Sequence, residues 1–126
     1  MKFVNEFALK PGTQQIYKRR HDDIWPEMVD MMLRAGLENY SIWNTGTRLI
    51  EYYECADPDA STKVIHASPI KAKWDEFMKD ILVFNTQGAM TPLTCMYDAH
   101  STESTHVNAT ESTHVTRNIN ATKGDA

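Results

Sequence analysis

Residues 13–36 read TQQIYKRRHDDIWPEMVDMMLRAG, and this stretch decides the fold. Its apolar side chains recur every three or four residues, the spacing that places them on one face of a helix. Members of this face are Tyr17, His21, Ile24, Trp25, Met28, Met31, Met32 and Ala35. Pro26 would break the interior of a helix, so we expect a kink near residues 24–25. Gly36 is a natural helix end. The stretch therefore predicts one amphipathic helix that is interrupted in its middle.

Strand signals lie on both sides of this helix. Residues 2–9 alternate in polarity and stop at a Pro-Gly pair. Residues 38–44 and 47–55 predict two further strands, joined by the tight turn Asn-Thr-Gly. The apolar residues of the first strand that share one face are Phe3, Phe7 and Leu9.

A second helix is predicted after a short helical turn that follows residues 57–59. Ser68 is a good N-cap, and Pro69 suits the first helical position. The alternating residues 91–97 predict a last strand, and Pro92 favours a strand start or a sheet edge. The predicted apolar face of the second helix consists of Ile70, Trp74, Phe77, Met78, Ile81 and Leu82.

Together these elements predict an α+β fold, a ferredoxin-like βαββαβ unit. Two helices would cover one face of a four-stranded antiparallel sheet. The opposite face would need cover, because Phe3, Phe7 and Leu9 cannot all be satisfied in a monomer if the other strands are also apolar on both faces. We therefore expect a homodimer that packs sheet to sheet.

The composition changes near residue 98. Residues 99–126 contain no aromatic side chain, and the hexapeptide TESTHV occurs at 102–107 and again at 110–115. Such a polar segment cannot bury enough apolar area to offset the entropy of ordering it. The sequence predicts a folded domain at residues 1–98 and a disordered polar tail at residues 99–126.

The charge balance disfavours two classes of partner. The 126 residues carry 13 Lys and Arg against 17 Asp and Glu, a net charge of −4. This balance argues against nucleic acid or an anionic membrane surface as the main partner. No apolar run is long enough to span a membrane, and no leader follows Met1, so we expect a cytoplasmic protein. Cys55 and Cys95 fit no metal-binding spacing and are expected to be reduced, buried thiols.

Residues that could carry chemistry lie on the apolar face of the interrupted helix. Tyr17 and His21 are four residues apart, so their side chains lie one above the other, with His21 pointing inward beside Trp25. A histidine in this position is either a core residue satisfied by a carbonyl or a proton carrier in a pocket, since imidazole titrates near neutrality. The spacing alone leaves both interpretations open.

Three segments carry a resemblance to a known family. YKRRHDDIWPEM (17–28), GLENYSI (36–42) and KWDEFM (73–78) occur in this order with compatible spacing. Over residues 2–98 the chain resembles the L-rhamnose mutarotase family. The resemblance implies a dimeric α+β barrel, an isomerase that interconverts the α and β anomers of a sugar without a cofactor or metal.

The resemblance also implies roles for individual residues. The family's proton donor falls on His21, and its sugar-contacting residues fall on Tyr17, Tyr40 and Trp74. Asp75 stands where the family has a second tryptophan; it is expected to accept hydrogen bonds from sugar hydroxyls or to turn toward solvent. The implied partner is a monosaccharide, a 6-deoxy-hexose such as L-rhamnose, with L-fucose as the alternative.

Two other classes of function stay open. Small dimeric barrels of this type also serve as haem or quinone monooxygenases, and His21 would then be an axial ligand. A binding module without enzymatic activity is the third possibility. Absorbance in the haem region and a sugar titration distinguish these classes from a mutarotase.

Overall fold

A computed structural model describes residues 1–84 and 90–100 of the chain. The TESTHV repeat and nearly all of the predicted tail lie outside the described residues, so the predicted domain boundary stays a prediction. The elements in chain order are β1 (Lys2–Leu9), α1 (Gln14–Asp22), α2 (Pro26–Arg34), β2 (Glu38–Thr45), β3 (Arg48–Glu54), α3 (Pro58–Ala67), α4 (Pro69–Met78), β4 (Leu82–Val83) and β5 (Thr91–Pro92).

The sheet has the strand order β2-β3-β1-β4, and β5 also pairs with β1. All recorded pairings are antiparallel. β1 is therefore central, with β3 along one edge and the two short strands along the other. A bulge interrupts β2 between Glu38 and Ser41, and Asn39 there has a positive φ of 51°. This topology confirms the predicted ferredoxin-like α+β fold.

The interrupted helix of the prediction is present as α1 and α2. Trp25 between them is extended, with φ −62° and ψ 135°, and Pro26 occupies the first turn of α2. An extended residue before proline is expected, because the proline ring clashes with a helical conformation there. Gly36 ends the second helix with φ 77°, a conformation that glycine adopts without a steric penalty.

The core lies between the helices and one face of the sheet. Phe7 and Leu49 are paired across β1 and β3, so they point to the same side. The buried cluster on this side consists of Phe7, Leu9, Tyr17, Met28, Met31, Ala35, Leu49, Trp74, Met78 and Ile81. The helices thus cover one face, as predicted.

This arrangement corrects the predicted role of Phe3, Phe7 and Leu9. Phe7 and Leu9 are buried under the helices, and they do not form the face that needs cover. The outer face instead carries residues of the opposite parity, among them Val4, Trp43, Ile50 and Tyr52. The error arose because alternation identifies two faces but not which one the helices take.

The second half of the chain also departs from prediction in two helices. The segment after residue 57 is a ten-residue helix, longer than the predicted turn, with the Asp57 side chain accepting from the amide of Ala60. α4 begins after Ser68 as predicted but ends at Met78. Ile81 and Leu82, which were predicted on this helix, lie beyond it: the Ile81 carbonyl accepts a hydrogen bond from the Lys10 amide, and Leu82 belongs to β4.

The last predicted strand is much shorter than expected. Of the predicted strand residues 91–97, only Thr91 and Pro92 pair with β1. One further hydrogen bond runs from the Leu93 amide to the Val4 carbonyl. Proline has no amide hydrogen to donate, so it weakens the ladder at this point. Residues beyond it are largely exposed, and Cys95 is exposed as well, contrary to expectation. Cys55 is buried, and both thiols are free.

Within residues 1–84 and 90–100, no helix is both long and apolar enough to cross a membrane.

A buried hydroxyl joins α3 to the end of α2. Ser61 is buried, and its hydroxyl donates a hydrogen bond to the carbonyl of Ala35. Ser61→Ala should lower the free energy of unfolding by about 2 kcal/mol, because a buried carbonyl would lose its donor. Thr62→Ala, on the exposed side of the same helix, should change it by less than about 0.5 kcal/mol. Urea denaturation of both variants measures the difference, and equal losses would contradict this account.

Candidate active site

An aromatic group on α1 and α4 brings three of the predicted residues together. The rings of Tyr17 and His21 are stacked, with centroids 4.2 Å apart. The His21 ring also meets Trp74 in an edge-on contact at 5.3 Å. Trp74 is only 7% exposed, whereas His21 is half-buried. The imidazole is therefore held between two aromatic rings and keeps partial access to solvent.

A second layer supports this group from the helix break. Trp25 meets Trp74 edge-on at 5.1 Å and lies 5.4 Å from Phe77. The Arg20 guanidinium lies over the Phe77 ring at 4.4 Å and pairs with Asp80 at 2.9 Å. Arg20 thereby ties α1 to the end of α4.

The sheet beneath α1 contributes a buried carboxylate. Glu51 on β3 is 5% exposed. Its Oε2 accepts a hydrogen bond from the Tyr40 hydroxyl, and its Oε1 accepts one from the Asn5 amide at 2.9 Å. The Tyr40 ring is stacked on Tyr53 at 6.0 Å. Three strands therefore converge on one carboxylate on the helix-covered side of the sheet.

The tyrosines of this cluster do not exchange protons near neutrality. Burial, followed by the charge of Glu51, raises the pKa of Tyr17 well above its usual value of 10. The same two causes, in the same order, raise the pKa of Tyr40 far above that value and the pKa of Tyr53 to about 12. These hydroxyls therefore stay protonated and act as hydrogen-bonding groups.

The pKa of His21 is shifted in the opposite direction. Burial lowers its pKa below the usual 6.5, and the hydrogen bond to Tyr17 and the charges of Asp22 and Glu51 oppose that effect. Its Nδ1 lies 3.2 Å from the Tyr17 carbonyl oxygen, which can only accept. In the neutral ring Nδ1 therefore carries the hydrogen, and Nε2 presents a lone pair. At neutral pH the residue can accept a proton at Nε2.

Not every predicted site residue joins the cluster. Tyr17, His21, Tyr40 and Trp74 face the helix-covered side of the sheet, whereas Asp75 is exposed and pairs with Lys71 at 2.8 Å. The prediction missed Glu51. Its signal was present in the alternation of β3, where Glu51 has the same parity as Leu49, a buried residue.

Two other kinds of site could lie outside the aromatic cluster, a metal site or a surface groove. Among the residues that the structure describes, no group of three or more His, Cys, Asp or Glu is arranged to hold a metal ion. A surface groove of about 420 Å³ lies where α2 meets the end of α3 and the start of α4, and it contains none of the aromatic cluster.

Comparison with known proteins gives consistent matches. A family model described as L-rhamnose mutarotase matches residues 2–111. The L-rhamnose mutarotase of Leptothrix cholodnii is 32% identical over 99 residues, which cover 76% of this chain and 93% of that protein.

Solved structures agree with these sequence matches. The crystal structure of L-rhamnose mutarotase from Formosa agariphila has a TM-score of 0.68 and 25% identity, covering 78% of this chain and 97% of that one. A cofactor-independent oxygenase from Streptomyces nogalater has a TM-score of 0.52 with 11% identity, covering 79% and 96%. At that identity the likeness concerns the fold alone.

Fold and matches together define the class as a small ferredoxin-like α+β isomerase, as the sequence predicted. The chain belongs to the L-rhamnose mutarotase family.

The lowered pKa of His21 has a consequence for stability. The folded state disfavours the imidazolium relative to the unfolded chain, so the unfolded state binds more protons below pH 6.5. The free energy of unfolding should therefore decrease as the pH falls through this region, and the contribution should be complete above it. His21→Asn should show a shallower decrease between pH 7 and pH 5 in urea titrations. Parallel pH profiles for the wild type and His21→Asn would contradict a lowered pKa of His21 in the folded state.

Proposed function

We propose that this chain interconverts the α and β anomers of a 6-deoxy-hexose, with L-rhamnose as the first candidate, by acid–base catalysis at His21. The observation that carries the proposal is the state of the imidazole. It is held between Tyr17 and Trp74, its Nδ1 is engaged by a carbonyl, and its Nε2 offers a lone pair. Family membership supplies the reaction class.

Anomer exchange requires opening of the sugar ring. Nε2 of neutral His21 accepts the proton of the anomeric hydroxyl, and the bond between C1 and the ring oxygen breaks. The resulting imidazolium gives a proton to the ring oxygen, which leaves an aldehyde and a hydroxyl. Rotation about the C1–C2 bond and reversal of these steps close the ring as the other anomer.

Tyrosine and tryptophan side chains would bind the sugar. The hydroxyl of Tyr17 keeps its proton and can donate a hydrogen bond to a sugar oxygen. Aromatic rings also suit the apolar C–H face of a pyranose. Trp74 is the expected ring, while Asp75, as placed, is paired with Lys71 and has no part in the proposed mechanism. L-fucose stays the alternative substrate, since 6-deoxy sugars differ chiefly in hydroxyl configuration.

His21→Asn should reduce anomer exchange by about a hundredfold to ten-thousandfold, because an amide cannot carry the proton. One-dimensional NMR saturation transfer between the anomers measures the rate, with L-rhamnose, L-fucose and D-sugars as a panel. His66→Asn is the control, because His66 is an exposed histidine on α3. Near-normal exchange by His21→Asn would remove His21 from the mechanism. Exchange of L-fucose in preference to L-rhamnose would support the alternative substrate.

We also propose that the chain is a homodimer that packs through the outer face of its sheet. This face carries Val4, Ile50 and Tyr52, and its Trp43 is 68% exposed. Two of its charges, Glu6 and Arg48, are paired with each other within the face. A sheet with helices on one side leaves such a face for another layer, and a second copy supplies one of matching composition.

Trp43→Lys should convert the dimer to a monomer at micromolar concentration, because a cation would replace a large apolar ring at the interface. Leu33→Lys is the matched control, because Leu33 on α2 is also 68% exposed but lies on the helix layer. Light scattering gives the mass of each variant. A monomeric wild type, or an equal effect of both substitutions, would overturn the proposed interface.

A further inference from the structure

Glu51 is an unusual residue for the interior of a small domain. Among the residues that the structure describes, Glu51 is the one charged side chain that is buried. Within the part of the chain that the structure describes, its hydrogen-bond donors are the Tyr40 hydroxyl and the Asn5 amide, and both are neutral. A buried charge without a cation is costly, and burial of an apolar residue at this position would favour folding. Packing therefore does not explain the carboxylate.

We propose that Glu51 is a positioning residue, which orients the Tyr40 hydroxyl as a hydrogen-bond acceptor for the sugar and stabilises the protonated form of His21 during turnover. This inference rests on the proposed function and deepens it. Neither role requires Glu51 to contact the sugar.

Tyr40 carries the first role. A phenol has one hydrogen to donate, and Tyr40 donates it to Glu51. The remaining lone pairs of its oxygen can only accept. A sugar hydroxyl that meets Tyr40 must therefore be the donor, and Tyr17 provides the complementary donating hydroxyl. The two tyrosines together would favour a sugar that donates a hydrogen bond to Tyr40 and accepts one from Tyr17.

Electrostatics carry the second role. Tyr17 and Asp22 on α1, Trp74 on α4 and Glu51 on β3 face or act on the imidazole. Trp74 is uncharged, Tyr17 stays protonated, and Asp22 is exposed and paired with Lys18. Glu51 is the buried negative charge on this side of the sheet, and it shares a face with Phe7, whose ring lies 6.3 Å from that of Tyr17, the ring stacked on His21. A negative charge on this face favours a positive imidazole, the state formed when His21 accepts a proton.

A matched control exists on the opposite face of the same strand. Glu54 also accepts hydrogen bonds from a tyrosine hydroxyl and an asparagine amide, those of Tyr52 and Asn39. It lies on the outer face, away from His21. Glu54→Gln therefore removes the same charge from the same kind of network without reaching the site.

The test is a pH titration of the His21 ring by NMR in the wild type, Glu51→Gln and Glu54→Gln, with the signal assigned by its loss in His21→Asn. Glu51→Gln should lower the titration midpoint relative to the wild type, because it removes a charge that favours imidazolium. Its kcat for anomer exchange should fall by about tenfold, and the acidic limb of the rate profile should move to lower pH. Glu54→Gln should leave all three unchanged.

An unchanged midpoint in folded Glu51→Gln would overturn the electrostatic role. Tyr40→Phe tests the other role, also when Glu51→Gln fails to fold: its KM should rise by about tenfold while the His21 midpoint is retained, and an unchanged KM would overturn it. The titration needs no substrate. If the wild type exchanged no sugar, the proposed function would fail separately, and the titration would still decide the link between Glu51 and His21.

Discussion

The break before Pro26 is the constraint on which the site depends. A continuous helix would run straight past the sheet, but the proline forces Trp25 into an extended conformation. The two halves then serve different purposes: α2 buries Met28 and Met31 in the core, and α1 presents Tyr17 and His21 to the sheet. Trp25 itself reaches α4 and supports the tryptophan that holds the imidazole.

Local signals predicted most of the fold. Pro26, Gly36 and the Ser68–Pro69 pair each act within a few residues, and all three boundaries lie where the sequence placed them. The errors came from interactions between distant segments. The residues after α4 pair with the end of β1, a segment more than 70 residues away in sequence, and the choice of the helix-covered face depends on packing that alternation does not encode.

The candidate site likewise contains residues that local spacing predicts and residues that only the pairing of distant strands brings together. The stacking of Tyr17 and His21 follows from helical spacing, so the sequence predicted it. Glu51 stands in an alternating strand, where a glutamate is ordinarily expected on the solvent side, and only the pairing of β3 with β1 places it beside Asn5. For Asp75, which stands where the family has a second tryptophan, the sequence left two alternatives, a contact with sugar hydroxyls or an orientation toward solvent. One step along a helix turns by about 100°, and the residue after buried Trp74 accordingly points to solvent.

The positions of the three tryptophans make the molecule observable by its own fluorescence. Trp25 and Trp74 contact each other beside the imidazole, whereas Trp43 lies on the outer face of the sheet. Indole emission follows the polarity of its surroundings, so association through the outer face would shift the emission of Trp43, whereas a ligand at the aromatic cluster would change the emission of Trp25 and Trp74. Events at the aromatic cluster and events at the outer face therefore give separate optical signals, and a single unlabelled sample can report both.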